Sequence, residues 1–318
     1  MKNLFRFLLM GLLMTPLVTA CGQSVSSPNG KQLNGNISIS GAFALYPLVT
    51  SWAEAFQTLN PGVHFDIVSG GAGKGMEDVL AGKVDIGMLS REIAPEEESR
   101  GAYSLAVAKD AVFPLVNAEN PVLADLLAQG VTRQSLGKIF ITGEISTWGE
   151  VVGKPEITDE IHVYTRSDIC GAAATWSLFL GGVQSDLLGK GKFGDPGMVQ
   201  AIQKDELGIG YNNLIYAYGL GNVAPQGTAI LPIDLNENKQ ADPDEILDTR
   251  QKATAAVAAG LYPAPPSRIL YLVTNGKPEG VVRDFLKWVL LDGQAYVDRL
   301  GYVGLSSEQL DASLQKIR

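Results

Sequence analysis

One local pattern recurs along this chain and limits what it can fold into: a short apolar strand, a turn of small residues, and a helix opening directly after the turn. Ile37–Ser40 alternates as a strand does, and Gly41-Ala42-Phe43-Ala44 leads into a helix over Leu45–Leu59. Leu45, Leu48, Val49, Trp52, Ala53 and Phe56 recur there at helical spacing, and Asn60-Pro61-Gly62 stops the helix. Val63–Ser69 is a second strand, followed by Gly70-Gly71-Ala72-Gly73 and a helix to about Ala81, and Val84–Met88 is a third short strand. Strands alternating with helices predict an α/β fold with a parallel sheet. Ligands of such sheets sit at the carboxyl ends of the strands, which is where these turns fall.

Further along, Tyr103–Val116 reads as one or two strands leaving this first unit. A second series follows: a helix near Arg133–Ile139, a strand near Ile161–Tyr164, a helix over Gly171–Leu180 and a strand over Leu207–Tyr211. Arg268–Thr274 is strongly strand-like, and Val281–Leu291 is helical, with Val281, Val282, Phe285, Trp288 and Val289 on one face. No internal repeat and no long low-complexity tract interrupts the order.

The N-terminus reads as an export signal. Lys2 and Arg6 precede an apolar run from Leu8, and Val18-Thr19-Ala20-Cys21 resembles a bacterial lipobox, which makes Cys21 the expected lipidation site. Residues 1–20 are then the signal peptide. Residues 21–35, polar and rich in Gly, Ser and Asn, form a flexible tether between lipid and domain. Acyl chains at Cys21 would hold the protein to the cell envelope, in the periplasm or at the cell surface, without a transmembrane helix. Loss of the signal takes the net charge from -9 to -11, which argues against a nucleic-acid partner. With Cys21 acylated, Cys170 has no partner for a disulfide within the chain.

The chemistry concentrates at three turns: Gly41-Ala42-Phe43-Ala44, Gly70-Gly71-Ala72-Gly73 and Cys170-Gly171-Ala172-Ala173. Small residues let a ligand approach the backbone, and the free N–H groups of a first helical turn attract anions. Arg91 and Arg166 lie close by in sequence and suit bidentate binding of phosphate-like anions. Asp168 and Asp110 are candidates to orient an arginine or accept a ligand proton. The same residue types also make tight packing turns, surface ion pairs and backbone caps. Only two histidines are present, and there is no nucleophile elbow, metal-binding His motif or Walker loop, so the chain does not read as an enzyme.

The stretches ISISGAFALYPLVTSWAEAF, VSGGAGKGMEDVLAGKVDIGMLSREI, AKDAVFPLVNAENPV, LGKIFITGEISTWGEV, YTRSDICGAAATWSLFLGG and LGIGYNN carry a resemblance over about Asn36–Leu300. Taken in order, they resemble the phosphate-binding component of bacterial phosphate ABC transporters, a type II periplasmic binding protein. The resemblance implies two α/β lobes, 36–115 plus 268–318 and 116–267, hinged over a ligand at their interface. It also implies a monomeric, lipid-anchored protein that captures phosphate or a related oxyanion for an ABC permease. The ligand residues it implies are Ala42, Phe43, Ala44, Gly71, Ala72, Gly73, Ser90, Arg91, Arg166, Asp168, Cys170, Gly171 and Ala172. The family usually supplies hydroxyls where this chain has Ala42, Ala44, Ala72, Cys170 and Ala172. Asn212 or Asn213 could replace one donor. Cys170 is either a weak donor, its thiol protonated, or a small buried apolar residue. The lost hydroxyls leave a second reading open, a sensing or interaction module on the same scaffold with altered anion binding.

Asp234, Asn236, Asn238, Gln240, Asp242 and Glu245 fall at the ligand spacing of an EF-hand loop, with Lys239 at the position that favours glycine. The stretch is either a structural calcium loop or an acidic surface loop. No other cofactor is expected.

Overall fold

A single strand of 16 residues, Ala102–Asn117, takes part in two hydrophobic cores. Leu105, Val107 and Ala108 belong to one core and Ala111, Val112, Phe113, Leu115 and Val116 to the other. This computed structural model describes residues 33–219 and 221–318, so the signal segment, Cys21 and the tether up to residue 32 lie outside the described residues.

The strands in chain order are β1 (Asn34–Gly41), β2 (Gly62–Ser69), β3 (Ile86–Leu89), β4 (Ala102–Asn117), β5 (Val131–Thr132) and β6 (His162–Arg166). They continue with β7 (Lys190–Lys192), β8 (Gly208–Asn213), β9 (Thr228–Ile230), β10 (Ile233–Asp234) and β11 (Ser267–Asn275). The main sheet runs β2-β1-β3-β11-β4-β8-β6-β7, with β9 on β4, while β5 and β10 pair separately. The pairings β1–β2, β1–β3, β6–β7 and β6–β8 are parallel, as the alternation of strand and helix predicts. The pairings of β11 with β3 and β4, and of β4 with β8, are antiparallel, so the parallel units read from sequence sit in a mixed sheet. The cause is connectivity: β4 carries the chain into the second core, and β11 brings it back.

The periodicity places the helices well. α1 (Tyr46–Leu59) buries Leu48, Val49, Trp52, Ala53 and Phe56, and starts with Pro47 in its first turn, where the missing N–H costs nothing. Trp52 Nε1 donates to the Gly293 carbonyl at 2.7 Å, which satisfies the one polar atom of a fully buried ring. α2 (Ala72–Leu80) and α3 (Gly171–Leu180) open at the second and third small-residue turns. The helix expected at Arg133–Ile139 ends at Gly137 and runs on as a π turn over Lys138–Thr142. α4 (Gly194–Gln203) is absent from the sequence reading, because its opening Gly194-Asp195-Pro196-Gly197 has the composition of a turn. α5 (Gly280–Leu290) packs Phe285, Leu286, Val289 and Leu290 inward.

The acidic loop closes on itself. Asp234 accepts from the backbone N–H of Asn238 and Lys239, and Glu245 from those of Leu235 and Asp242. Asn236 and Asn238 donate to Asp242, and Asn238 accepts from the Gln240 N–H. Lys239 does take the left-handed backbone (φ 63°) that position six of a calcium loop requires. Even so, side-chain oxygens of Asp234, Asn236, Asn238, Asp242 and Glu245 already accept from the loop's own donors, and no group of three or more His, Cys, Asp or Glu suited to a metal occurs among the described residues. The structure gives the calcium reading no support.

Candidate functional site

The three turns meet. Gly41 adopts φ 134°, and a Cβ there would lie 2.3 Å from the Met88 carbonyl, so β1 turns tightly against β3. The Gly41 carbonyl then accepts from the N–H of both Gly70 and Gly71, at 2.8 and 3.0 Å, which ties the first turn to the second. The second turn faces the third: Gly73 N–H donates to the Ile169 carbonyl at 3.0 Å. A Cβ on Gly71 would lie 2.9 Å from Asp168 Oδ2, and one on Gly171 would lie 2.3 Å from Ser90 Oγ. The first turn reaches the third through Phe43, whose ring lies 5.4 Å from the Arg166 guanidinium carbon and packs edge-on against Phe193.

Backbone donors line this meeting point. Phe43 and Ala44 open a 3-10 turn, Ala72 opens α2, and Gly171 and Ala172 open α3. The first N–H groups of a helix have no acceptor within it. At α3, Cys170 is the N-cap and its Sγ accepts from the Ala173 N–H at 3.4 Å, so Gly171 and Ala172 are the two amides left over. Gln184 holds the loop from both sides, donating to the Asp168 carbonyl and accepting from the Cys170 N–H. Burial pushes the Cys170 thiol up to about 12, against the pull of Arg166, so it stays protonated.

Arg166 is buried at the end of β6, with its side chain 1% exposed. Asp168 takes Nε and Nη2 at 2.8 and 2.6 Å, and Asp195 takes Nη1 at 2.8 Å. Burial alone would weaken the guanidinium's hold on its proton, but Asp195 and then Asp168 raise its pKa above the ordinary arginine value. Three of its five N–H donors are thus engaged by the protein's own carboxylates. Asp195, fully buried at the start of α4, was not found from sequence. Asn212 and Asn213, read as replacement donors, both serve it: Asn212 Nδ2 donates to its carbonyl at 3.0 Å and Asn213 Nδ2 to its carboxylate.

Asp110 orients an arginine, as the sequence suggests, but that arginine is Arg268 on β11, at 2.8 Å. Burial pushes the Asp110 carboxyl up to about 6; Arg268 opposes this and Asp195 adds to it. Arg268 also donates to the Gly171 carbonyl at 2.9 Å and to Asn213 Oδ1. Ser90 is buried beside Gly171. Arg91 is turned to Glu97, which it grips with both terminal nitrogens at 2.8 and 2.6 Å. It lines a cleft of about 430 Å³ with Thr175, Leu178, Pro265 and Arg268.

A sequence profile of the PBP superfamily domain matches residues 26–292. The phosphate-binding protein PstS of Bacillus subtilis is 32% identical over 183 residues, a match that spans 55% of this chain and 58% of that relative. The PstS of Pseudomonas aeruginosa is 26% identical over 90% of this chain and 88% of its own length. Both are named for binding, not for a reaction. Among solved structures, a Clostridium perfringens substrate-binding protein with bound phosphate shares the fold at TM-score 0.69 and 23% identity, covering 86% of this chain and 100% of its own. An ABC-type phosphate transport receptor from Vibrio cholerae does so at TM-score 0.62 and 18% identity, covering 85% of this chain and 100% of its own. The resemblance drawn from the motifs therefore extends over most of the sequence and over the type II binding-protein fold, and the chain belongs to the PBP superfamily.

Proposed function

We propose that this protein is an extracytoplasmic solute-binding protein that captures phosphate or a related tetrahedral oxyanion and delivers it to an ABC permease. The observation that carries the reading is the convergence of three small-residue turns around the segment Arg166–Gly171, which holds one buried guanidinium, Arg166. The relatives named above bind phosphate by name, and one structure of the same fold holds it. In this reading, the amides of Phe43, Ala44, Ala72, Gly171 and Ala172 donate to ligand oxygens, Ser90 supplies a hydroxyl, and Arg166 supplies charge. The lobes are 36–115 plus 268–318 and 116–267, with the hinge where β4 and β11 pass between the two cores. Closure would be favoured by an anion that both lobes grip. A lipid at Cys21 holds a monomer to the envelope.

Titration calorimetry on purified, ligand-stripped protein tests the reading. Phosphate, sulfate, molybdate or tungstate should bind at micromolar concentration or below; silence across all four would overturn it. Labelling with a radioactive fatty acid, lost on Cys21→Ser, tests the anchor separately. One observation favours a sensing or interaction module instead: Asp168 and Asp195 already hold Arg166, and alanines stand where hydroxyl donors are expected. Under that reading the calorimeter stays silent while the protein still folds.

A further inference from the structure

Arg268 lies on β11 opposite Asp110 of β4, at the register where β4 leaves one core and enters the other. Its side chain is 5% exposed, and its two terminal nitrogens do three things. Nη1 donates to the Gly171 carbonyl at 2.9 Å, at the opening of α3. Nη2 donates to Asp110 Oδ2 at 2.8 Å and to Asn213 Oδ1. Asn213 in turn donates to Asp195, and Asp195 accepts from Arg166. Both arms of the candidate site therefore end on one guanidinium. The backbone arm, Gly171 and Ala172, is set by where the Gly171 carbonyl is held. The charged arm, Arg166, is set through Asn213 and Asp195.

We propose that Arg268 is a positioning residue of the oxyanion site, fixing both its backbone donors and its arginine from the strands that run between the two cores. This rests on the oxyanion-binding reading and adds to it the residue that ties the site to those strands. The planar fork matters here. Two nitrogens at a fixed angle address three acceptors on three different elements, which the single mobile ammonium of a lysine cannot do. Asp110 and Asn213 lock the fork in place, and the buried Nε has no hydrogen-bond partner.

The test is calorimetric titration of inorganic phosphate into wild type, Arg268→Lys and Asn213→Ala, each held well below its own melting temperature, with a melting curve for each. Arg268→Lys keeps the charge and should weaken phosphate by about tenfold or more, the loss of a charge-assisted hydrogen bond. Asn213→Ala, which removes no charge, should weaken it several-fold, and it decides the matter alone if the lysine variant does not fold. A merely structural arginine would lower the melting temperature and leave the dissociation constant alone. Binding by both folded variants within about twofold of wild type overturns the positioning role and leaves the oxyanion reading standing. If the wild type binds sulfate, molybdate or tungstate instead of phosphate, the same comparison is made with that anion; silence of the wild type towards all four overturns both.

Discussion

Arg166 holds its charge where water cannot screen it, and Asp168 and Asp195 make that tenable. Removing the cation strands two buried carboxylates. Arg166→Met should therefore destabilise the fold by about 3–5 kcal/mol in urea unfolding, well beyond an ordinary surface substitution. Asp110 behaves in the opposite sense from a salt-bridged surface carboxylate. Its folded pKa, about 6, lies above the ordinary carboxylate value of 3.8, so between these limits the folded state binds more protons than the unfolded one. Its contribution to stability thus improves as pH falls from 6 toward 4 and is lost as pH rises through 6. Unfolding free energies at pH 4.5, 5.5 and 7 should show this slope, and Asp110→Asn should remove it; an unchanged slope would show that the titration belongs to another group. Arg166 and Asp168 were legible in the sequence because they sit together at the end of a strand. Asp195 and Arg268 were not, because their partners lie 29 and 158 residues away and nothing local marks either as buried.

Helices with a strong apolar period, such as α1 and α5, were found from spacing alone, and so were the turns that open α2 and α3. What spacing could not supply was the direction of the strands, since β4 and β11 have the same alternation whichever way they pair. It also missed α4, which begins with residues that favour turns and becomes a helix because Met198 and Ile202 find the second core. The cap of α3 is the informative detail at this scale. Cys170 fills an N-cap position where an oxygen would accept more strongly than sulfur. Cys170→Ser should leave the fold intact, raise stability by up to about 1 kcal/mol, and tighten oxyanion binding by adding a hydroxyl beside the free amides. Weaker binding would mean that the thiol's bulk, not its donor strength, shapes the turn. In the unaltered protein, a thiol reagent should react with Cys170 only after denaturation, since the group is buried and protonated.

Across the molecule, two hydrophobic cores share one strand, β4, and β11 pairs with it along the stretch that joins them. Neither core can lose β4 without exposing apolar residues of the other, and β11 adds Leu270, Leu272 and Val273 to the first core. Calorimetry should accordingly show one unfolding transition for residues 33–318, with calorimetric and van't Hoff enthalpies in agreement; two resolved transitions would mean that the cores melt separately. The likeness in order and fold to binding proteins was legible from the motif sequence. The buried charge chain from Arg166 through Asn213 to Asp110 was not, because it exists only once the two cores are assembled. The place of β11 between β3 and β4 also sets a clock. The N-terminal sheet lacks an interior strand until residues 267–275 have been made. The first core of a nascent chain therefore stays open until that stretch has been made, and a chain whose core is open can still be threaded across a membrane before it folds on the far side.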